Sequence, residues 1–174
     1  MQKLSVDTQI EKIVDDFNLL PDQVQQAAIL ALNRTGEWMK GRIAKDISEE
    51  KRLKLKLIRD RIVLSRANRR KSVTTLACNF RSIFVKDLPN VRQNVIGVTA
   101  GGQMYPHAFI ATLRKGGKPG VYQRTTTKRF PVKRVTIPIY SEANRIIEQL
   151  IGTEAQKIFG KRFLHEIDRI SRAA

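Results

Sequence analysis

His107–Ile139, HAFIATLRKGGKPGVYQRTTTKRFPVKRVTIPI, carries three apolar runs separated by two basic connections. His107–Leu113 is mostly apolar, and Val121–Arg124 is a second, shorter run. Lys133–Ile139 alternates, placing Val135, Ile137 and Ile139 on one face and Arg134 and Thr136 on the other. Period-two alternation between turn-forming clusters is the signature of strands. Lys115–Gly120 is turn chemistry, because its glycines admit positive φ and Pro119 stiffens the exit. The second connection, Thr125–Pro131, sets Lys128 and Arg129 beside Phe130 and Pro131. From Leu88 through Ser141 there are nine Lys or Arg and no Asp or Glu. So one-sided a surface is suited to an anion or an acidic partner.

The rest of the chain frames this segment. Its 174 residues and 41% hydrophobic content predict one domain with a real core, spanning 1–174. Within it the pattern predicts helices over 1–61, a sheet over 62–140 and helices over 141–172. The net charge of +17 is unevenly placed: residues 1–39 are net −3, 40–71 are +9 and 88–141 are +9. Such a balance is common among nucleic-acid binders. Cys78 is the single cysteine, which excludes an internal disulfide, and its apolar surroundings predict a small core residue. The N-terminal residues lack signal-peptide layout, and no apolar run reaches the ~18 residues of a membrane span, so folding in a reducing cytosol is expected.

Helical spacing of Val6, Ile10, Ile13, Val14 and Phe17 predicts a short helix over 5–17, broken at Leu19-Leu20-Pro21. A central helix follows over 22–47, apolar on two sides, with Ala27, Ala28, Ala31 and Gly36 allowing close approach of neighbours. Ser48 offers an N-cap for a further turn, read as helix to Arg61. Strands are expected at 62–67 and 73–80, joined by the basic turn Asn68–Ser72, then an irregular stretch around Pro89 and a strand at 94–99. Ser141 is expected to cap a helix bearing Ile146, Ile147, Leu150 and Ile151, with an end or kink at Gly152. Thr153-Glu154-Ala155-Gln156 has the capping-box pattern, and a last helix should bury Ala155, Phe159, Phe163, Ile167 and Ile170. Helices, then strands, then helices define an α+β fold, with N- and C-terminal helices packed on a largely antiparallel, twisted sheet.

Catalytic patterns are missing. Gly116-Gly117-Lys118-Pro119 lacks the Ser/Thr of a phosphate loop, and Pro119 opposes the helix that such a loop requires. His107 and His165 stand far apart without a carboxylate partner by spacing, so a structural or interface role is expected for His107. No Cys/His spacing suits zinc. Arg114, Lys115, Lys118, Arg124, Lys128, Arg129, Lys133 and Arg134 could instead track a phosphate backbone. Phe109, Tyr122, Phe130 and Tyr140 are interleaved with them. Stacking on bases is conceivable, but strand aromatics usually pack inward, and that is the expectation for all four.

Ala31-Leu32-Asn33-Arg34-Thr35, Ile58–Ala67, His107-Ala108-Phe109-Ile110, and Tyr122-Gln123-Arg124 followed by Arg129-Phe130-Pro131-Val132 and Val135-Thr136-Ile137-Pro138 occur in this order. Together they resemble the minor tail protein Z family of long-tailed bacteriophages. The resemblance implies a structural virion protein without catalytic residues, cofactor or metal, acting at the head-proximal end of the tail. Implied partners are other neck and tail proteins, in a ring, expected to hold six copies, around the DNA channel. On that reading Lys115, Lys118, Lys128 and Arg129 face DNA or the channel, with non-specific contact, while Arg59, Arg61, Arg66, His107 and Arg124 serve protein interfaces. No membrane contact is expected. The alternative class is a free-standing nucleic-acid-binding protein, of RNA-associated or nucleoid type.

Overall fold

A computed structural model describes residues 2–4, as backbone, and 21–172. The helix expected over 5–17 lies outside the described residues. The longest element is helix α1, Pro21–Glu50, which at about 1.5 Å per residue runs roughly 45 Å. Pro21 opens it, where a missing N–H costs nothing. Its two halves serve two different cores. In the first half Val24, Ala27, Ala31 and Leu32 pack with Phe159, Phe163 and Ile167 of the last helix. In the second half Met39, Ile43, Ala44 and Ile47 pack with sheet residues such as Ile83, Val98 and Val121, and with Ile146 and Leu150. The alanines of the first half leave room for the stacked rings of Phe159 and Phe163, 5.7 Å apart.

The helix does not restart at Ser48. Ser48 lies inside α1, and its Oγ donates to the Leu53 carbonyl at 2.5 Å, closing the chain reversal after the helix rather than opening a new one. Helix α2, Leu55–Arg59, follows within the stretch read as helix to Arg61, with Leu53 and Ile58 buried and Leu55 exposed.

Eleven short strands among the described residues form four small antiparallel sheets rather than one. Strand β1, Gln2–Leu4, falls within the span read as helical and pairs with β3 (Thr74–Cys78), which also pairs with β2 (Ile62–Ser65). β4 (Ile83–Phe84) pairs with β11 (Thr136–Ile137). β5 (Arg92–Gln93), β6 (Gly97–Ala100) and β7 (Gln103–Pro106) form a meander. β8 (Ala108–Ala111), β9 (Gly120–Arg124) and β10 (Val132–Arg134) form another. The single strand expected over 133–139 thus divides at Val135. Its N–H donates to the Val121 carbonyl at 3.0 Å, and its carbonyl accepts from Val85 N–H at 3.1 Å, so one residue ties two sheets together. The alternation holds: Val135 and Ile137 are half-buried, Ile139 is buried, and Thr136 is exposed.

Helix α3, Tyr140–Leu150, starts after Ile139, so Ser141 sits inside the first turn and its Oγ donates to Glu142 instead of capping. A π-helical segment, Ile151–Ala155, contains Gly152 and runs from α3 into helix α4, Gln156–Ser171, so the chain stays helical through the expected end or kink. Thr153 Oγ1 donates back to the Gln149 carbonyl at 2.7 Å, so no capping box forms. No helix of the described residues is long and apolar enough to cross a membrane.

The Ala31–Thr35 segment joins these layers. Asn33 Nδ2 donates to the Ala67 carbonyl at 3.0 Å, while its Oδ1 accepts from Ala67 N–H at 2.7 Å and from Thr74 Oγ1 at 2.9 Å. One side chain therefore fixes the β2–β3 hairpin to α1. One residue on, Arg34 pairs with Glu166 of α4, whose carboxylate is fully buried and also receives Arg169 Nε at 3.0 Å. At Gly36 a Cβ would lie 2.5 Å from Thr74 Cγ2, so the hairpin approaches α1 as closely as it does only over glycine.

Candidate functional site

The acid-free segment builds the β8–β9–β10 meander and its connections. Chain direction decides what its charges can do together. β9 is antiparallel to both neighbours, so Thr112–Pro119 lies at one end of the sheet and Thr125–Pro131 at the other. About 13 Å of strand, at ~3.3 Å per residue, separates them. Lys115 and Lys118 therefore do not share a patch with Lys128 and Arg129.

At the first end, Arg114, Lys118 and Arg134 surround the edge of Tyr122 in a depression of about 430 Å³. Lys86 and Phe84 adjoin Lys118 and Arg134 on the other side of the ring. Tyr122 is buried, and the Gly120 backbone beneath it leaves no room for a side chain, since a Cβ there would meet the ring at 2.9 Å. At the second end, His107, Arg124 and Thr125–Thr127 line one open depression with Gln93–Gly97. The structure thus brings His107 and Arg124 together. His107 adopts φ 59°, and its N–H donates to the Ile96 carbonyl at 2.9 Å. It is the corner at which the chain leaves the β5–β6–β7 meander for β8.

Three of the arginines are held over rings. Arg124 lies 5.8 Å from the centre of Phe109, Arg129 5.8 Å from Phe130, and Arg134 5.3 Å from Phe84. Each ring orients a guanidinium without neutralising it. The aromatics are not all core residues: Tyr122 is buried and Phe109 half-buried, but Phe130 and Tyr140 are 59% and 69% exposed. Phe130 stands on a loop under Arg129, and Tyr140 opens α3 on the side of an apolar groove.

The ion pairs show where charge is left over. Arg34, Arg42, Lys45, Lys51, Arg66, Arg145, Arg169 and Arg172 each pair with a carboxylate, all within or between the helices and the β2–β3 hairpin. Among the described residues none of the nine cations between 88 and 141 does. Of the residues read as protein contacts, Arg66 pairs with Glu37 and Arg61 donates to the Arg81 carbonyl at 2.6 Å, so both are engaged internally. Arg59 is exposed at the end of α2. Glu142, held by Lys51, then by Ser141 and its own backbone N–H, is lowered from 4.5 to about 2. The helices and the β2–β3 hairpin pair eight of their cations with carboxylates while keeping the excess of 40–71; among the described residues the cations of 88–141 pair with none. Among the described residues no group of three or more His, Cys, Asp or Glu is placed to hold a metal.

Lys86 and the exposed pair Val95-Ile96 belong to this surface and escape the sequence reading. Lys86 lies outside the acid-free run, and Val95-Ile96 reads as part of a strand although Asn94 beside it is a turn-former.

The described residues form an α+β domain whose sheets carry cations without carboxylate partners, three of them held over rings. In the comparison by family, the model for prophage minor tail protein Z (GPZ) matches residues 86–173, and the chain belongs to that family, a phage tail component of the virion. No curated protein matches, and no solved structure does. The matched span runs from the end of β4 through α4, and so contains every strand of the acid-free surface. The Ala31–Thr35 and Ile58–Ala67 motifs precede it.

Proposed function

We propose that the chain completes the tail at its head-proximal end, as one of several copies in a ring around the DNA channel, contacting the neighbouring tail and head-connector proteins. The observation that carries this reading is the division of charge. All eight carboxylate-bound Lys and Arg among the described residues lie outside 88–141, and the nine cations of the sheets have no carboxylate. A surface that holds nine cations and no carboxylate is complementary to an anionic neighbour, and at a tail end that neighbour is genome phosphate or an acidic ring.

The two ends of the β8–β9–β10 meander divide the work. Lys115 and Lys118, on an exposed loop, are mobile point charges suited to DNA. Lys128 and Arg129, at the opposite end, extend the same field toward the other face of the ring. Arg124, fixed over Phe109 beside His107, presents a planar fork with a set direction, the geometry of a protein contact. Replacing Lys115, Lys118, Lys128 and Arg129 together by Gln is expected to leave tails that form and join heads but retain or deliver DNA poorly. Arg124→Ala is expected to block incorporation. Tails that exclude the four-Gln variant while accepting Arg124→Ala normally would contradict the assignment.

A further inference from the structure

We propose that copies of this chain associate head to tail, the Val95-Ile96 hairpin tip of one copy seating in the apolar groove between α1, β3 and α3 of the next. The proposal rests on the ring reading above and supplies its contact.

The tip is a preformed apolar knob. Val95 is fully exposed and Ile96 is 64% exposed, the two forming the turn between β5 and β6. Hairpin turns of two residues ordinarily carry Asn, Asp or Gly, and β-branched residues there give up burial without helping the turn. The tip is also held from three directions. Asn94 N–H donates to the Gly97 carbonyl at 2.8 Å, and Asn94 Oδ1 accepts from Ile96 N–H at 3.0 Å and Gly97 N–H at 2.9 Å. The Ile96 carbonyl accepts from His107 N–H. Two bare aliphatic side chains on so braced a turn are pre-organised to enter a pocket, because little freedom remains to be lost on binding.

The chain carries a matching pocket elsewhere. A groove of about 450 Å³ is lined by Met39 and Ile43 of α1, Leu76 and Cys78 of β3, Ile147 of α3 and Ile151 just beyond it. It shares no residue with the tip, and the exposure of Val95 and Ile96 shows that a copy does not fill its own groove with its own knob. Charge favours the same match. The tip stands on the acid-free sheet with exposed Arg92 behind it, while Asn144 on the groove edge donates to Glu148 at 2.7 Å, setting a carboxylate at the rim. Knob and groove on different faces make a heterologous contact, which propagates and closes into a ring when the rotation allows. A two-residue knob is a modest contact alone, but closure adds the contacts around the ring.

Cys78, the only cysteine, lies in the groove and reports on its occupant. Purified Val95→Cys protein, at high concentration and with a mild oxidant, is expected to give a disulfide ladder extending beyond the dimer on non-reducing gels. Burial pushes the Cys78 thiol up, so the reaction is run above neutral pH. Val95→Cys/Cys78→Ser is expected to lose every band above the dimer, and Ile96→Cys to reproduce the ladder. A Val95→Cys pattern no different from that of the Cys78→Ser double variant would overturn the proposal, whether it shows monomer alone or a tip-to-tip dimer. The ladder is read from the chain alone and placement at the tail end from particles, so either idea can fail without the other.

Discussion

Asn33 ties α1 to the β2–β3 hairpin with one amide, which meets the Ala67 backbone in both directions and Thr74 as well. Asn33→Ala leaves Ala67 N–H and its carbonyl without their partner, and a loss of about 1–3 kcal/mol in urea unfolding is expected. Glu142 predicts a pH signature. Its folded-state pKa is depressed, so the Lys51–Glu142 pair stabilises fully above the unfolded value of 4.5 and is lost as pH falls through about 2. Glu142→Gln should therefore unfold more readily than the native chain at neutral pH, and the gap should close across that interval in parallel urea titrations. At this scale sequence reading succeeded where a residue type has one use, as for the small residues of α1. It failed where position decides. Phe130 and Phe163 are the same residue, but one stands on a loop beneath Arg129 and the other in a helix against Ala27 and Ala31.

Elements with a long period were legible and short ones were not. The helix read over 22–47 is α1; of the positions read as buried in the last helix, Phe159, Phe163 and Ile167 are buried in α4, Ala155 is buried in the π-helical segment before it and Ile170 is partly buried, while the buried Glu166 was not foreseen. Phe163→Ala is expected to cost about 3–5 kcal/mol, because a ring stacked between two helices leaves a cavity that backbones cannot close; thermal melting tests it. The sheets were harder. β4, β5 and β11 have two residues each, too few for alternation to register, and β7 lies in a stretch to which no element was assigned. The cap readings at Ser48, Ser141 and Thr153 missed because each hydroxyl bonds locally within or just after a helix, a use that the capping pattern cannot distinguish. The basic connections were found, but not that antiparallel pairing sends them to opposite ends. That geometry predicts independence: Lys115→Gln/Lys118→Gln and Lys128→Gln/Arg129→Gln should each lower the salt slope of any DNA binding by no more than about 2, and their effects should add.

For the whole molecule, the central claim is that a helical half whose carboxylates are spent on internal ion pairs supports an acid-free, positive sheet surface that meets the end of the genome or an acidic neighbour at the top of the tail. The total charge pointed to such a partner, and its segregation was visible in the acid-free run. Which cations remain free was not, because Arg61 and Arg66 are engaged by groups distant in sequence. The most direct test is a reconstruction of the neck from purified particles, with the chain located by comparison with particles lacking it. The account predicts a ring of density at the head-proximal end of the tail, absent when the chain is absent, with β8–β10 turned toward the channel or an acidic ring. Density scattered along the tube, or a neck unchanged by removing the chain, would contradict it.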